Sequence, residues 1–257
     1  MTQITLDIHR FPCLNDNYGY LVHEPLSGQT AAIDTPDAAK YLAEADRMGW
    51  HISHILNTHW HPDHAGGNLK IKEATGCTIY GPAGEAEKIP GIDVKLKEGD
   101  TLELGRATAR VLDVPGHTLG HIAYHFADQN TAFVGDALFA LGCGRVFEGT
   151  MEMMWNSLSK LKALPPATTI YCAHEYTQSN ARFAETIEPG NEALMAYVRK
   201  IDELRAKGIP TVPTSLEREL ATNPFLRADV PALQAAMGHP GDAVATFAEI
   251  RGRKDRF

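Results

Sequence analysis

The sequence predicts an α+β chain in two parts: a β-rich sandwich with interspersed helices over residues 1–174, then a smaller all-helical part over residues 175–257. Three observations carry this expectation. Before residue 175, short apolar runs of strand length alternate with turns rich in Gly, Asn and Asp. After His174 the strand pattern fades and helical windows take over. With 257 residues, 44% apolar and 22% charged, the chain has the make-up of an ordinary globular protein that can bury a large core.

The elements follow in order. The first apolar runs close at Gly28, and Pro36 to Met48 reads as a helix. A strand containing His54 leads into Thr58–His64, and Ala65 to Thr75 reads as one helix ended by Gly76, with Gly66 and Gly67 allowing close backbone approach at its start. Turns at Glu98-Gly99-Asp100 and Leu104-Gly105 frame a strand from Thr101 to Leu104. Further strands run from Ala109 to Val114, from Thr131 to Val134 after Asp128-Gln129-Asn130, and through Ile170-Tyr171-Cys172-Ala173. Met151 to Leu164 is a helix stopped by Pro165-Pro166. The second part offers helices at Gln178 to Ile187, Asn191 to Lys207, Ser215 to Ala221 and Asp242 to Lys254. Ser215 is a weak start signal, because a capping box places its acid where Arg218 stands.

Composition excludes several classes. No window approaches the length of a membrane span, and the stretch Met1–Asp7 lacks the basic start and long apolar run of a secretory leader. A net charge of −8 with no basic run argues against nucleic acid as a partner. Cys13, Cys77, Cys143 and Cys172 lie far apart without a C-x-x-C pair, which predicts reduced, packed thiols in a cytoplasmic protein.

The chemistry is concentrated in Thr58-His59-Trp60-His61-Pro62-Asp63-His64, where three imidazoles and a carboxylate share six residues. Neutral imidazole and carboxylate are the usual ligands of zinc, iron and manganese. In an extended segment His59 and His61 point the same way and could grip one ion, while Asp63 and His64, beyond the turn at Pro62, could serve a second. Isolated ligand types recur further on, each after a short apolar run: His117 in Val114-Pro115-Gly116-His117-Thr118, Asp136 after Phe133-Val134-Gly135, and His174 after Cys172-Ala173. Loops at strand ends are where such proteins place their chemistry. His9, His23, His51, His54, His121, His125 and His239 fall outside these phrases and are expected to be structural or exposed.

These phrases together resemble the metallo-β-lactamase superfamily. The resemblance implies an αββα sandwich with a two-metal site: His59, His61 and His117 on one ion, Asp63, His64 and His174 on the other, and Asp136 bridging both. An aspartate rather than a cysteine at 136 points to the hydrolase and oxidoreductase branches. Further phrases, Cys172-Ala173-His174-Glu175-Tyr176-Thr177, Glu188-Pro189-Gly190-Asn191, Thr211-Val212-Pro213-Thr214-Ser215, Asn223-Pro224-Phe225-Leu226-Arg227 and Arg251-Gly252-Arg253-Lys254-Asp255, are similar to glyoxalase II, the hydroxyacylglutathione hydrolases.

What this second resemblance implies is a monomeric thioesterase of methylglyoxal detoxification. It would carry two divalent metals, zinc first, with iron or manganese as alternatives, and cleave S-D-lactoylglutathione to D-lactate and glutathione by a hydroxide bridging both ions. Asp136, and Asp63 if it also orients the hydroxide, would be the catalytic carboxylates. Glutathione would lie against Arg145, Val146 and Phe147, His174, Glu175 and Tyr176, and Arg251, Gly252, Arg253 and Lys254. Its two carboxylates suit Arg145, Arg251 and Lys254 as charge-assisted donors. Two positions depart from the family: Arg145 stands where lysine is common, and Phe147 where tyrosine is often found. The competing readings are a persulfide dioxygenase, a broad-specificity hydrolase and a non-catalytic binding protein of the same fold.

Overall fold

The computed structural model describes residues 4–257, so the first residues of the stretch from which no leader is expected lie outside it. The chain divides into two compact units, Met1–Asp113 with Thr118–Gly135, and Val114–His117 with Asp136–Phe257.

The first unit carries two sheets. One is the six-stranded β1 (Asp7–Cys13), β2 (Asn17–Glu24), β3 (Gln29–Ile33), β4 (Ile52–Leu56), β5 (Thr78–Pro82) and β6 (Val94–Leu96), paired in that order. Its first pairings are antiparallel, and those from β3 to β6 are parallel. β2 is buried along most of its length, as expected for a strand covered on both faces. On the outer face, α1 (Ala38–Met48) and α3 (Asn68–Thr75) enclose a cluster of Phe11, Leu21, Ile52, Ile55, Ile71 and Ile79 around the fully buried Tyr41. The Tyr41 hydroxyl donates to Ile33 O at 2.7 Å, so even the polar tip of this core residue is satisfied. Asp37 caps α1 by accepting from Ala39 and Lys40, and Gly49 ends it at φ 70°.

The inner face meets an antiparallel meander of β7 (Thr101–Leu104), β8 (Ala107–Asp113), β9 (Ile122–Phe126) and β10 (Thr131–Gly135). Tyr20 packs edge-on against Phe133 at 5.7 Å, and the Tyr124 hydroxyl donates to Asn57 O at 2.8 Å.

The helix expected from Ala65 to Thr75 is two pieces, α2 (Pro62–Ala65) and α3. The break falls at Gly66-Gly67, where the Gly67 amide turns out of the helical ladder to donate to Thr35 O at 2.7 Å. A Cβ on Gly67 would stand 2.6 Å from that oxygen, so only glycine permits the approach.

The second unit begins its main segment with a small hairpin, β11 (Leu138–Phe139) and β12 (Gly142–Cys143). α4 (Met151–Lys162) follows, capped by Thr150. β13 (Thr169–Cys172) pairs with the two-residue β14 (Thr214–Ser215). The helices are α5 (Thr177–Ile187), α6 (Glu192–Ala206), α7 (Leu216–Thr222), α8 (Pro231–Met237) and α9 (Ala243–Asp255). α5 and α6 bury Ala181, Ala184, Leu194 and Ile201 with Leu141, while Trp155, Phe183, Phe225 and Phe247 form an aromatic chain between α4, α5 and α9. α8 lay outside the expected helices, although Pro231 at its first turn and Gly238 at its end are its signals. Ser215 does cap α7, accepting from Arg218 N at 3.3 Å.

All four cysteines are free and buried, and burial pushes the Cys13 and Cys172 thiols up to about 12. Among the described residues, no helix is long and apolar enough to cross a membrane.

Candidate metal centre

In the first unit, β4 delivers the chain into Thr58–His64, and α2 starts at Pro62 within it. His59 is fully buried and His64 is 1% exposed. The rings of His59 and His61 meet edge to face at 4.7 Å, with His59 Nε2 3.0 Å from His61 Nδ1. Two basic ring nitrogens brought this close are suited to a common ion. Asp34, which closes the apolar run of β3, orients His64. It accepts from His64 Nδ1 at 2.9 Å, from Thr58 N at 2.8 Å and from the Thr58 hydroxyl at 2.9 Å. That fixes the His64 tautomer with its proton on Nδ1 and leaves Nε2 for coordination, facing Asp63 Oδ2 at 3.6 Å. Asn17 holds Asp63 from the other side, donating to Oδ2 at 3.2 Å and to its backbone oxygen at 3.3 Å.

The second unit carries a set of its own. Val114-Pro115-Gly116 turns the chain so that His117 follows at once, with Gly116 at φ 143° pressed against Met154. His117 Nδ1 donates to Arg145 O at 2.9 Å, which makes Nε2 the nitrogen that could serve a metal ion. Asp136 is 7% exposed and divides its carboxylate: Oδ2 lies 3.4 Å from His117 Nε2 and Oδ1 3.4 Å from His174 Nε2. A buried carboxylate turning one oxygen to each of two ligand nitrogens has the form of a bridge. Gly144 is required beside it, since a Cβ there would clash with Asp136 O and crowd His117 Nδ1.

Among the described residues, the His/Asp groups that could hold a metal ion are drawn from His59, His61, Asp63, His64, His117, Asp136 and His174. Their chemistry fits: imidazole and carboxylate donors with orienting partners, and no thiolate.

The expected substrate residues of the second unit separate into open and committed ones. The Tyr176 ring lies flat on His174, 4.7 Å away with planes 1° apart, and Phe147, 62% exposed, leans on His117 at 5.3 Å. Arg145 is exposed, with Nε 3.7 Å from Asp255, and Val146, between Arg145 and Phe147 in sequence, is half-buried. Lys254 donates to Ser179 O at 3.2 Å and stands over Phe183 and Phe257. Burial, reinforced by Arg251 and Arg145, lowers its ammonium to about 8.

Arg251 differs from the expectation of an open donor. It is 3% exposed, with one nitrogen on Cys143 O at 2.9 Å and another on Asp255 at 3.0 Å. Glu175 likewise turns its carboxylate to Thr211 N at 2.9 Å, and Arg253 pairs with Glu249 at 2.8 Å beside Gly252. Of the histidines expected to be structural or exposed, His9 pairs with Glu44, His23 stacks on Trp50 and His54 on Tyr80. His121 is the exception in position: buried, it stacks on the His59 ring at 4.6 Å.

Residues 24–174 match the metallo-beta-lactamase superfamily, and residues 175–257 match the hydroxyacylglutathione hydrolase C-terminus. A "Hydroxyacylglutathione hydrolase" from Hyphomonas neptunium is 74% identical, covering 99% of each chain. One from Erythrobacter litoralis is 60% identical over 98% of this chain and 100% of its own. Among solved structures, ETHE1 from Myxococcus xanthus superposes with a TM-score of 0.70 at 24% identity, covering 96% of this chain and 90% of that one. TTHA1623 in a di-iron-bound form superposes at 0.60 with 25% identity, covering 85% and 99%. By fold, by these ligand sets and by relatedness along its whole length, the chain belongs to the hydroxyacylglutathione hydrolase family of the metallo-β-lactamase superfamily.

Proposed function

We propose that the protein hydrolyses S-(2-hydroxyacyl)glutathione thioesters, S-D-lactoylglutathione to D-lactate and glutathione, as the second step of methylglyoxal removal. The observation that carries the two-metal form of this reading is the Asp136 carboxylate, with one oxygen turned to His117 and the other to His174. His59, His61 and His117 would hold one divalent ion, Asp63, His64 and His174 the second, with Asp136 between them. Zinc is our first choice, since imidazole and carboxylate suit it; iron and manganese accept the same donors. When bound, two such ions supply an acidified water and polarise the thioester carbonyl.

The remaining work falls to the chain. Asp34 and the Arg145 carbonyl keep protons on the outer nitrogens of His64 and His117. Arg145 and Lys254 offer positive charge to the glutathione carboxylates. Tyr176 and Phe147 wall the approach with aromatic surface, and Phe147 does so without a hydroxyl. The departing thiolate is stable enough to leave with little help from an acid. We assign metal binding to residues 1–174 and glutathione binding to 175–257, and we take the protein to be a cytoplasmic monomer.

The test is the loss of thioester ultraviolet absorbance when metal-replete protein meets S-D-lactoylglutathione, with Asp136→Ala as control. Rapid loss that collapses in the variant supports the reading. Folded, metal-loaded protein that leaves the thioester intact overturns it, and oxygen uptake on glutathione persulfide is then the next assay.

A further inference from the structure

Glu85 lies outside every ligand phrase, yet it is 6% exposed. It interrupts the 3-10 segment Ala83–Lys88 with φ −136° and ψ 25°. Its carboxylate accepts two backbone amides from separate stretches of chain: Oε1 from Trp60 N at 2.9 Å and Oε2 from Gly120 N at 2.9 Å. The Trp60 N–H belongs to the peptide that joins His59 to Trp60, so its direction sets how the chain leaves His59 and how His61 returns towards it. Gly120 immediately precedes His121, whose ring stacks on His59 at 4.6 Å. One side chain thus grips both segments that enclose the His59 ring. The fit is close, since a Cβ at Gly120 would come within 2.8 Å of the carboxylate.

The chemistry of the grip is specific to glutamate. A carboxylate presents two acceptors and no donor, so it satisfies two N–H groups at once with charge-assisted bonds. Glutamine has the same shape but would aim an NH2 at one of the amides. Aspartate keeps the charge but is one methylene short of spanning both. Without the grip, the 3.0 Å approach of His59 Nε2 and His61 Nδ1 would rest on the Thr58 hydroxyl, 3.1 Å from His59 Nδ1, and on the bonds that tie Thr58 to Asp34 and Ile122.

We propose that Glu85 is a positioning residue for His59 and His61, fixing the peptide between them so that their coordinating nitrogens converge. This rests on the reading of those two histidines as metal ligands. The experiment strips the full chain of metal, then titrates zinc(II) against a chromophoric chelator and records the absorption of the cobalt(II) form. Parent, Glu85→Gln, Glu85→Asp and His59→Ala are compared, with the melting temperature of each metal-free protein. Glu85→Gln is expected to bind one zinc ion about 10- to 100-fold more weakly, the usual effect of losing a partner that orients ligands, and to alter the cobalt(II) band shape. Glu85→Asp is expected to change both in the same direction, which keeps the test decisive if Glu85→Gln does not fold. Parent-like zinc affinity and an unchanged cobalt(II) spectrum in whichever of the two folds, with only a lower metal-free melting temperature, would show a packing role and overturn the proposal. If His59→Ala also retained both ions at parent affinity, the metal-ligand reading itself would fail, a separable outcome.

Discussion

Replacing Asp34 by asparagine isolates what the orienting carboxylate does for His64. Asp34 is 5% exposed and sits at φ 50°, a conformation asparagine adopts more readily than most residues, so the backbone need not move. Oδ1 accepts from Thr58 N, and Oδ2 accepts from both the Thr58 hydroxyl and His64 Nδ1. In the variant an amide oxygen can keep the Thr58 N–H bond. The NH2 then faces His64 Nδ1, and two N–H groups cannot point at each other. His64 must either lose its partner or move its proton to Nε2, the nitrogen that faces Asp63 at 3.6 Å. Leaving one buried donor or acceptor unsatisfied costs about 1–3 kcal/mol, which should appear in urea unfolding of the metal-free protein. The tautomer shift should weaken zinc by about 10- to 100-fold, or about 1.4–2.7 kcal/mol, in chelator competition. Metal-free stability within about 0.5 kcal/mol of the parent, together with zinc affinity within about twofold, would refute the argument.

Two further outcomes concern pH. Burial raises the Glu219 carboxyl from its ordinary 4.5 to about 7 despite bonds from Leu141 N, Thr214 and Asn223. Because the folded value exceeds the unfolded one, the favourable contribution is complete below 4.5 and is lost as pH rises through about 7. Unfolding titrations should show the parent losing roughly 3 kcal/mol across that window relative to Glu219→Gln, which cannot ionise. Lys254, lowered to about 8, should bind an anionic substrate as the ammonium. Steady-state kinetics should therefore show KM rising above pH 8, and Lys254→Met should have a raised KM at pH 7 without that rise.

How much of this was legible depends on where each residue's role is set. His59, His61, Asp63 and His64 announce themselves because one loop gathers them, and His117, Asp136 and His174 because each follows a short apolar strand. Asp34 carries the same mark, standing directly after Ala31-Ala32-Ile33, but it precedes the histidine cluster rather than following it. Glu85 and Asn17 carry no mark at all, since their partners are backbone amides and a carboxylate that only the folded chain brings near. The divided helix at Gly66-Gly67 shows the same limit: the glycine pair is visible, but the Thr35 carbonyl that demands it is not. Arg251 is expected from the sequence as an open donor to substrate carboxylates, and its burial depends on an acceptor in the β11–β12 hairpin.

That last contact ties the assembly of the site to the order of synthesis. The Arg251 guanidinium donates to the Cys143 carbonyl at 2.9 Å, and two residues on, the Arg145 carbonyl accepts a hydrogen bond from His117 Nδ1 at 2.9 Å. Arg251 leaves the ribosome 108 residues after Cys143. Every histidine of the centre precedes α9 in the sequence, so the helix that braces this segment is synthesised after all of them. A residue of the last helix thus braces, through two residues of backbone, the carbonyl that orients the His117 ring.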